Sequence, residues 1–126
     1  MKPLAAIQIT NLRTRALIGT RKEERARRQE IFLNIRISYN AKKAVLSDSL
    51  PHALDYDRVA QKVLRLTRTS RFHLLETLGA ALMNAIMEDK KIIEAWIRID
   101  KPGALRYAGS VSVEMIKKRR QISVRP

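Results

Sequence analysis

Residues 72–87 read Phe-His-Leu-Leu-Glu-Thr-Leu-Gly-Ala-Ala-Leu-Met-Asn-Ala-Ile-Met, and the segment is apolar on nearly every side. This pattern predicts a largely buried helix over residues 73–88. Glu76 interrupts the apolar surface, because helical geometry aligns it with Phe72, Ala80, Met83 and Met87. A carboxylate on such a stripe is costly to bury unless a partner compensates its charge.

Spacing alone leaves two partners open for Glu76. If His73 lies close to the N-cap, Glu76 is the third helical residue, where a carboxylate accepts hydrogen bonds from free backbone N–H groups. The other candidate is a ligand that presents two adjacent N–H donors. A carboxylate would bind such an edge through two parallel, charge-assisted hydrogen bonds.

The segments around this helix complete a simple pattern. A helix is predicted from about Asp55 to Thr69, with an apolar stripe that includes Val59 and Val63. Alternating residues predict strands over 5–18, 30–40 and 92–100, and around Val111, Val113 and Met115. The first strand should break near Asn11. The segments at 47–51 and 101–103 are predicted as a loop and a turn.

The element order is therefore β-β-α-α-β-β. Short connections favour an α+β fold, in which an antiparallel sheet carries both helices on one face. The outer face of the sheet should carry Phe32, Arg36, Trp96 and Arg98. One domain is predicted over residues 1–118, followed by a basic C-terminal tail over residues 119–126.

Composition narrows the class of protein. The chain has 126 residues and a net charge of +14, so its surface should attract anions such as nucleic acid, acidic lipid or phosphorylated substrates. It has no cysteine, which excludes disulfides and thiolate metal sites and fits a reducing cytoplasm. No apolar run is long enough to span a membrane and no signal peptide is evident, so we expect a cytoplasmic protein without a membrane partner.

Individual polar residues give weak signals. The two histidines, His52 and His73, lack any metal-binding spacing, so no metal site is expected. Lys101 is either a solvated residue at a strand end or a functional lysine that relays protons or forms a Schiff base. Tyr56 is either a packing residue or an acid, and Glu24 lies in a charged run that solvent could explain.

Taken together, four segments resemble the dihydroneopterin aldolase family of the tunnelling fold, from about Ile7 to Met115. They are Gly19-x4-Glu24-x4-Gln29, Ala53-Leu54-Asp55-Tyr56, Arg71-Phe72-His73-Leu74-Leu75-Glu76 and Asp100-Lys101-Pro102-Gly103-Ala104. Three others look like the dihydroneopterin triphosphate 2′-epimerase branch: Asn11-Leu12-Arg13-x-Arg15, Arg28-Gln29-Glu30-Ile31 and Ala104-Leu105-Arg106-Tyr107-Ala108-x-Ser110-Val111-Ser112. Lys101-Pro102-Gly103-Ala104 looks more like the aldolases.

The resemblance implies roles for these residues. Glu76 and the Leu75 backbone would hold the pterin ring. Tyr56 and the backbone near Ala53 and Leu54 would come from a neighbouring subunit and cover it. Lys101, Glu24 and Tyr56 would transfer protons, and Gln29 would orient Glu24. A further hypothesis, based on charge, is that a triphosphate group is bound by Arg21, Lys22, Arg25 and Arg106.

The resemblance also implies an assembly and an activity. Family members form rings of subunits whose sheets join into a barrel, as tetramers or octamers, and they need no metal or other cofactor. The expected activity is dihydroneopterin triphosphate 2′-epimerization, with dihydroneopterin aldolase activity as the alternative. A basic RNA-binding protein is a competing interpretation of the charge. The aromatic content of only 5% argues against it, so a nucleic acid partner is not expected.

Overall fold

The computed structural model describes residues 4–120. Its elements are β1 (Leu4–Ala16), α1 (Lys22–Arg25), β2 (Gln29–Asn40), α2 (Lys42–Ser47), a 3₁₀ turn (Leu50–His52), α3 (Tyr56–Thr69), α4 (Leu75–Met87), β3 (Ile92–Pro102) and β4 (Ser110–Lys118). The four strands form one antiparallel sheet in the order β1-β2-β3-β4. None of the helices in this part of the chain is long and apolar enough to cross a membrane.

Both long helices cover the same face of the sheet, as predicted. α3 packs on β1, and α4 packs on β3 and β4. The buried core between the layers includes Ile31, Leu33, Ile35 and Ile37 from β2, Val63 from α3, Leu78, Leu82 and Ile86 from α4, and Ile97 and Ile99 from β3. Burying this apolar surface is the main force that holds the helices on the sheet.

The structure corrects several predicted boundaries. The segment around residues 47–51 is not simply a loop, because α2 and the 3₁₀ turn occupy most of it. The charged segment 20–29 contains the single-turn helix α1. Lys101 and Pro102 belong to β3 rather than to a turn, since they pair with Val111 and Ser110.

The predicted break in β1 is a β-bulge. The register with β2 shifts between Ile9 and Leu12, which lets both side chains face the core although they are three residues apart. Asn11 at the bulge has φ of +53°, and its backbone N–H donates to Asn34 Oδ1 at 2.9 Å. Asn34 also donates to Asp100 Oδ2 at 3.0 Å, so one side chain joins β1 to β3 across the outer face.

Arg119 anchors the end of β4 to the rest of the domain. Its guanidinium donates to the carbonyl oxygens of Ile92, Met87 and Asp89 at 2.9, 2.6 and 3.2 Å, and its backbone N–H donates to Ile93 O. These bonds satisfy carbonyl groups at the carboxyl end of α4 and at the start of β3. The first residue of the predicted tail is thus part of the folded domain, and residues 121–126 lie outside the described part of the chain.

Candidate active site

Lys101 and Glu24 form a buried ion pair. Lys101 alternates with Ile97 and Ile99 along β3, so its side chain faces the helical layer, and its side chain is only 9% exposed. The ammonium group donates to the Glu24 carboxylate, whose side chain is 12% exposed. The pair brings together two residues that lie 77 positions apart in the sequence.

Glu24 is held in its ionised form. The hydrogen bond from Lys101, opposed by burial and reinforced by the Arg21 backbone and side chain, lowers the pKa of Glu24 from 4.5 to about 2. The Arg21 backbone N–H and Nε both lie within 3.3 Å of Glu24 Oε1. The carboxylate therefore carries its charge across the neutral range and fixes the position of the Lys101 ammonium.

The loop before Glu24 depends on Gly19 and Gln29. Gly19 has φ of +134°, and a Cβ built there would lie 2.5 Å from Glu24 Cδ, so only glycine leaves room for the carboxylate. Gln29 Nε2 donates to Ile18 O at 2.7 Å and to Glu24 O at 3.1 Å. The motif Gly19-x4-Glu24-x4-Gln29 thus describes one loop and the side chain that closes it.

Arg25 connects this loop to the start of α4. Its guanidinium donates to the carbonyl oxygens of Gly19, Phe72 and Arg71 at distances of 3.3–3.4 Å. Residues 71 and 72 lead directly into α4, so the Glu24–Lys101 pair and the amino end of α4 belong to one region. Arg25 was also predicted as a phosphate ligand, and its guanidinium makes these three backbone contacts in the structure.

Glu76 is the second residue of α4 and is exposed. The N-cap residue is Leu74, which provides no side-chain cap, so the capping position assumed for His73 and Glu76 is wrong by one residue. Within residues 4–120 the Glu76 carboxylate accepts no hydrogen bond from the helix terminus. In a single copy of the chain the Glu76 carboxylate is exposed, so there is no free-energy cost of burying its charge. The carboxylate is available to a ligand.

Ala53, Leu54 and Tyr56 lie at the other end of the helical layer. Asp55 caps α3 by accepting from the Arg58 N–H at 3.1 Å, which makes Tyr56 the first helical residue, 63% exposed. A cavity of about 430 Å³ between the start of α3 and the end of α4 includes Asp55 and Lys91. Since α3 spans 14 residues, Tyr56 and Glu76 are separated by about 20 Å along the helices. One copy of the chain does not bring them together.

Lys91 supports this distant segment and was not recognised from the sequence. Its Nζ donates to the carbonyl oxygens of Pro51 and Ala53, both at 3.1 Å. A lysine in the turn after α4 gives no sequence signal for such a contact, because the bond joins residues about forty positions apart.

The other charged candidates lie on the surface. Arg21 is engaged with Glu24, Lys22 is exposed at the start of α1, and the Arg106 guanidinium lies 5.7 Å from the Tyr107 ring centroid in the β3–β4 connection. Among residues 4–120 there is no group of three or more histidine, aspartate or glutamate side chains arranged to hold a metal ion.

Comparisons with known proteins all find enzymes that act on dihydroneopterin or its triphosphate. Residues 7–116 match the family model FolB, dihydroneopterin aldolase. The dihydroneopterin triphosphate 2′-epimerase of Escherichia coli is 40% identical over 114 residues, covering 90% of this chain and 95% of that protein. The dihydroneopterin aldolase of Escherichia coli is 28% identical over 98 residues, covering 76% of this chain and 79% of that protein.

A solved structure shares the same fold. A Vibrio cholerae protein whose structure carries the FolB designation superposes with a TM-score of 0.87 at 30% identity, over 91% of this chain and 98% of that one. The chain therefore belongs to the dihydroneopterin aldolase family, and the predicted fold is confirmed. The family could be predicted from the order of several motifs along the sequence, whereas no single motif was specific enough.

Proposed function

We propose that this protein rearranges the side chain of a dihydropterin by a retro-aldol reaction, and that its main activity is dihydroneopterin triphosphate 2′-epimerization. The observation that carries the proposal is the Glu24–Lys101 ion pair, whose largely dry position beside the amino end of α4 would suit proton transfer. The higher identity to the epimerase than to the aldolase of Escherichia coli supports the choice of activity.

The proposed binding mode uses the exposed carboxylate of Glu76. It would accept hydrogen bonds from the 2-amino and N3 protons of the pterin, while the Leu75 backbone contacts the same ring edge. Two parallel charge-assisted bonds would fix both the ring and its orientation. A ligand without these donors would leave the carboxylate unpaired, which is how such a site discriminates.

The chemistry needs positioning and proton transfer. Lys101, oriented by Glu24, anchors a relay that removes the 2′-hydroxyl proton. The C1′–C2′ bond breaks, and its electrons enter the conjugated C6=N5 imine to form an enamine and an aldehyde. The substrate carries its own electron sink, so we propose that neither a metal nor a Schiff base takes part. If the aldehyde turns and adds again, C2′ is inverted and the proton returns to the new hydroxyl.

Retention of the aldehyde decides the product. If the fragment leaves, protonation of C1′ by Tyr56 or its water gives 6-hydroxymethyl-dihydropterin and glycolaldehyde, the aldolase reaction. A triphosphate on the fragment would favour retention where basic side chains hold it. Arg21, Lys22, Arg25 and Arg106 are the residues that the sequence suggests for that role.

We further propose that the complete site lies between two copies of the chain in a homo-oligomer. Tyr56 and Glu76 are too far apart in one copy to contact one substrate. Val45, Leu46 and Leu50, in α2 and the 3₁₀ turn that precede Tyr56 in the chain, are exposed apolar side chains that a second copy would cover. The edge strands β1 and β4 also have one unpaired side each, which suits strand pairing between copies.

One assay tests the activity. The purified protein is incubated separately with dihydroneopterin and with dihydroneopterin triphosphate, and the products are separated by chromatography. We expect a 2′-inverted triphosphate as the main product. Hydroxymethyl-dihydropterin as the faster product would favour the aldolase alternative. A folded oligomer that converts neither substrate would refute both activities.

A further inference from the structure

A basic cavity lies at the β1 edge of the sheet, and none of its lining residues belongs to the proposed pterin site. It has a volume of about 420 Å³ and is lined by Arg13, Thr14, Arg15, Arg28 and Arg68. This volume falls within the usual range of small-molecule sites, about 300–1,000 Å³. Arg13, Arg15 and Arg28 belong to two of the three segments that resemble the epimerase branch, and the proposed chemistry does not use them.

The cavity has a large excess of positive charge. Arg13 is paired with Glu30, whose Oε2 lies 2.6 Å from Nη2 and 2.7 Å from Nε. Arg15, Arg28 and Arg68 form no ion pair within residues 4–120. Three guanidinium groups without a carboxylate around one cavity favour a multiply charged anion, and guanidinium matches phosphate geometry through paired hydrogen bonds.

Thr14 adds a second and independent observation. The residue is only 5% exposed, and its Oγ1 is the one buried side-chain oxygen or nitrogen in residues 4–120 without a hydrogen-bond partner. A buried hydroxyl without a partner is unfavourable, and native proteins rarely keep one. A ligand oxygen in the cavity that Thr14 lines would supply the missing partner after a rotation of the side chain.

The sheet register places this cavity at a useful distance from Lys101. Thr14 on β1 pairs with Ile31 on β2. Phe32 on β2 pairs with Asp100 on β3 in an antiparallel ladder, so Ile31, one residue earlier, lies opposite Lys101, one residue later. Thr14 and Lys101 thus occupy one row on the helix-covered face, separated by the strand β2. Two strand spacings put their backbones about 10 Å apart.

We propose that the cavity formed by Arg15, Arg28, Arg68 and Thr14 is an anion subsite that binds the triphosphate of the substrate. The inference rests on the proposed function, because it takes the reacting C2′ atom to lie near Lys101. The triphosphate is attached to the carbon next to C2′, and it would reach the cavity over the surface rather than along the row, because Ile31 between the two positions is fully buried. Arginines at this subsite hold the aldehyde fragment after C1′–C2′ cleavage, so that it adds again instead of leaving.

The test separates binding of the anion from turnover. Arg28→Gln/Arg68→Gln is compared with wild type and with Arg120→Gln, which removes an exposed positive charge at the opposite end of the sheet. Calorimetry at physiological ionic strength measures inorganic tripolyphosphate binding to each folded protein. Loss of two charge-assisted contacts should weaken binding about tenfold or more in the double variant and leave Arg120→Gln unchanged.

Kinetics supply the second arm. We expect the KM for dihydroneopterin triphosphate to rise about tenfold in the double variant, with the KM for unphosphorylated dihydroneopterin unchanged. Equal tripolyphosphate affinity in all three proteins would overturn the subsite. If wild type converts neither pterin but still binds tripolyphosphate through Arg28 and Arg68, the anion site stands and the proposed function fails.

Discussion

Glu76 is the residue whose environment changes most between one copy of the chain and the proposed complex. It is exposed at the start of α4 in the single chain, and a bound pterin would cover it. We expect Glu76→Gln to weaken pterin binding by about 100-fold, since one charged acceptor is lost from two hydrogen bonds. The free energy of unfolding should change by less than about 0.5 kcal/mol, as for other surface substitutions.

Fluorescence titration with neopterin and urea denaturation check these two expectations for Glu76→Gln. Glu114→Gln is the matched control, because Glu114 is an exposed glutamate on β4 that forms no ion pair within residues 4–120. A protein that unfolds more easily but binds pterin normally would show that Glu76 has a structural role instead.

Glu24 gives the molecule a specific pH dependence. Its pKa is lowered from 4.5 to about 2, mainly by the hydrogen bond from Lys101. A group with a lowered pKa stabilises the fold above its unfolded pKa, and this contribution is lost as the pH falls toward the folded pKa. We therefore expect the unfolding free energy to drop between about pH 5 and pH 2, and to drop less in Glu24→Gln.

Urea denaturation across this pH range measures the effect at Glu24. Glu23→Gln, which changes the exposed neighbour in the same helical turn, is the control. Identical slopes for wild type and Glu24→Gln would mean that the ion pair does not persist in solution.

At the scale of elements, the loop between β1 and β2 depends on the absence of a side chain at Gly19. A Cβ at this position would collide with the Glu24 carboxyl group, and the φ of +134° is strained for any other residue. We expect Gly19→Ala to destabilise the protein by about 1–3 kcal/mol and to lower kcat about 100-fold by displacing Glu24.

Gly103→Ala is a matched comparison for Gly19→Ala. Gly103 also has a positive φ, +75°, but nothing lies within 4 Å of a Cβ built there. It should lose stability through backbone strain while its kcat changes little. Steady-state kinetics together with thermal unfolding separate the two effects, and an equal fall in kcat in both variants would contradict the proposed role of the loop.

The long elements could be predicted from the sequence because their periodicity is strong. The alternation in β2 and the apolar face of α4 define the two layers, and the bulge in β1 was visible as a break near Asn11. The short helices α1 and α2 were missed, since segments of four and six residues are too short to show a helical period. The contacts of Arg25 with residues 71 and 72 could not be predicted, because long-range bonds to backbone carbonyls leave no pattern in the sequence.

At the scale of the whole molecule, the separation of Tyr56 from Glu76 predicts complementation between subunits. Tyr56→Ala and Glu76→Gln should each have little activity alone. If each site takes Glu76 from one subunit and Tyr56 from the next, random co-assembly leaves about one site in four intact. Co-expression of the two variants should thus restore about a quarter of the wild-type turnover.

Purified single variants and a mixture made after purification serve as controls for the complementation experiment. Activity that never exceeds that of the single variants, in a mixed oligomer verified by mass spectrometry, would place the whole site within one copy.

The site as a whole was only partly visible in the sequence. Glu24 and Lys101 looked like ordinary solvated residues by themselves, and only the spacing of four segments in the family order brought them together. The ion pair itself depends on the register of β3, which places Lys101 on the covered face of the sheet. The arginines around Thr14 come from β1, the segment just before β2, and α3, and their shared cavity follows from packing that no local pattern describes.

Arg119 has a consequence for how the protein is made. The carbonyl oxygens of Met87, Asp89 and Ile92 obtain their arginine partner from a residue translated roughly thirty positions later. Domains tend to fold as units while the chain leaves the ribosome, and distant contacts form late. The carboxyl end of α4 and the first residues of β3 therefore stay incompletely bonded on the ribosome until β4 and Arg119 have emerged, so a chain arrested before Arg119 should be the form that chaperones retain.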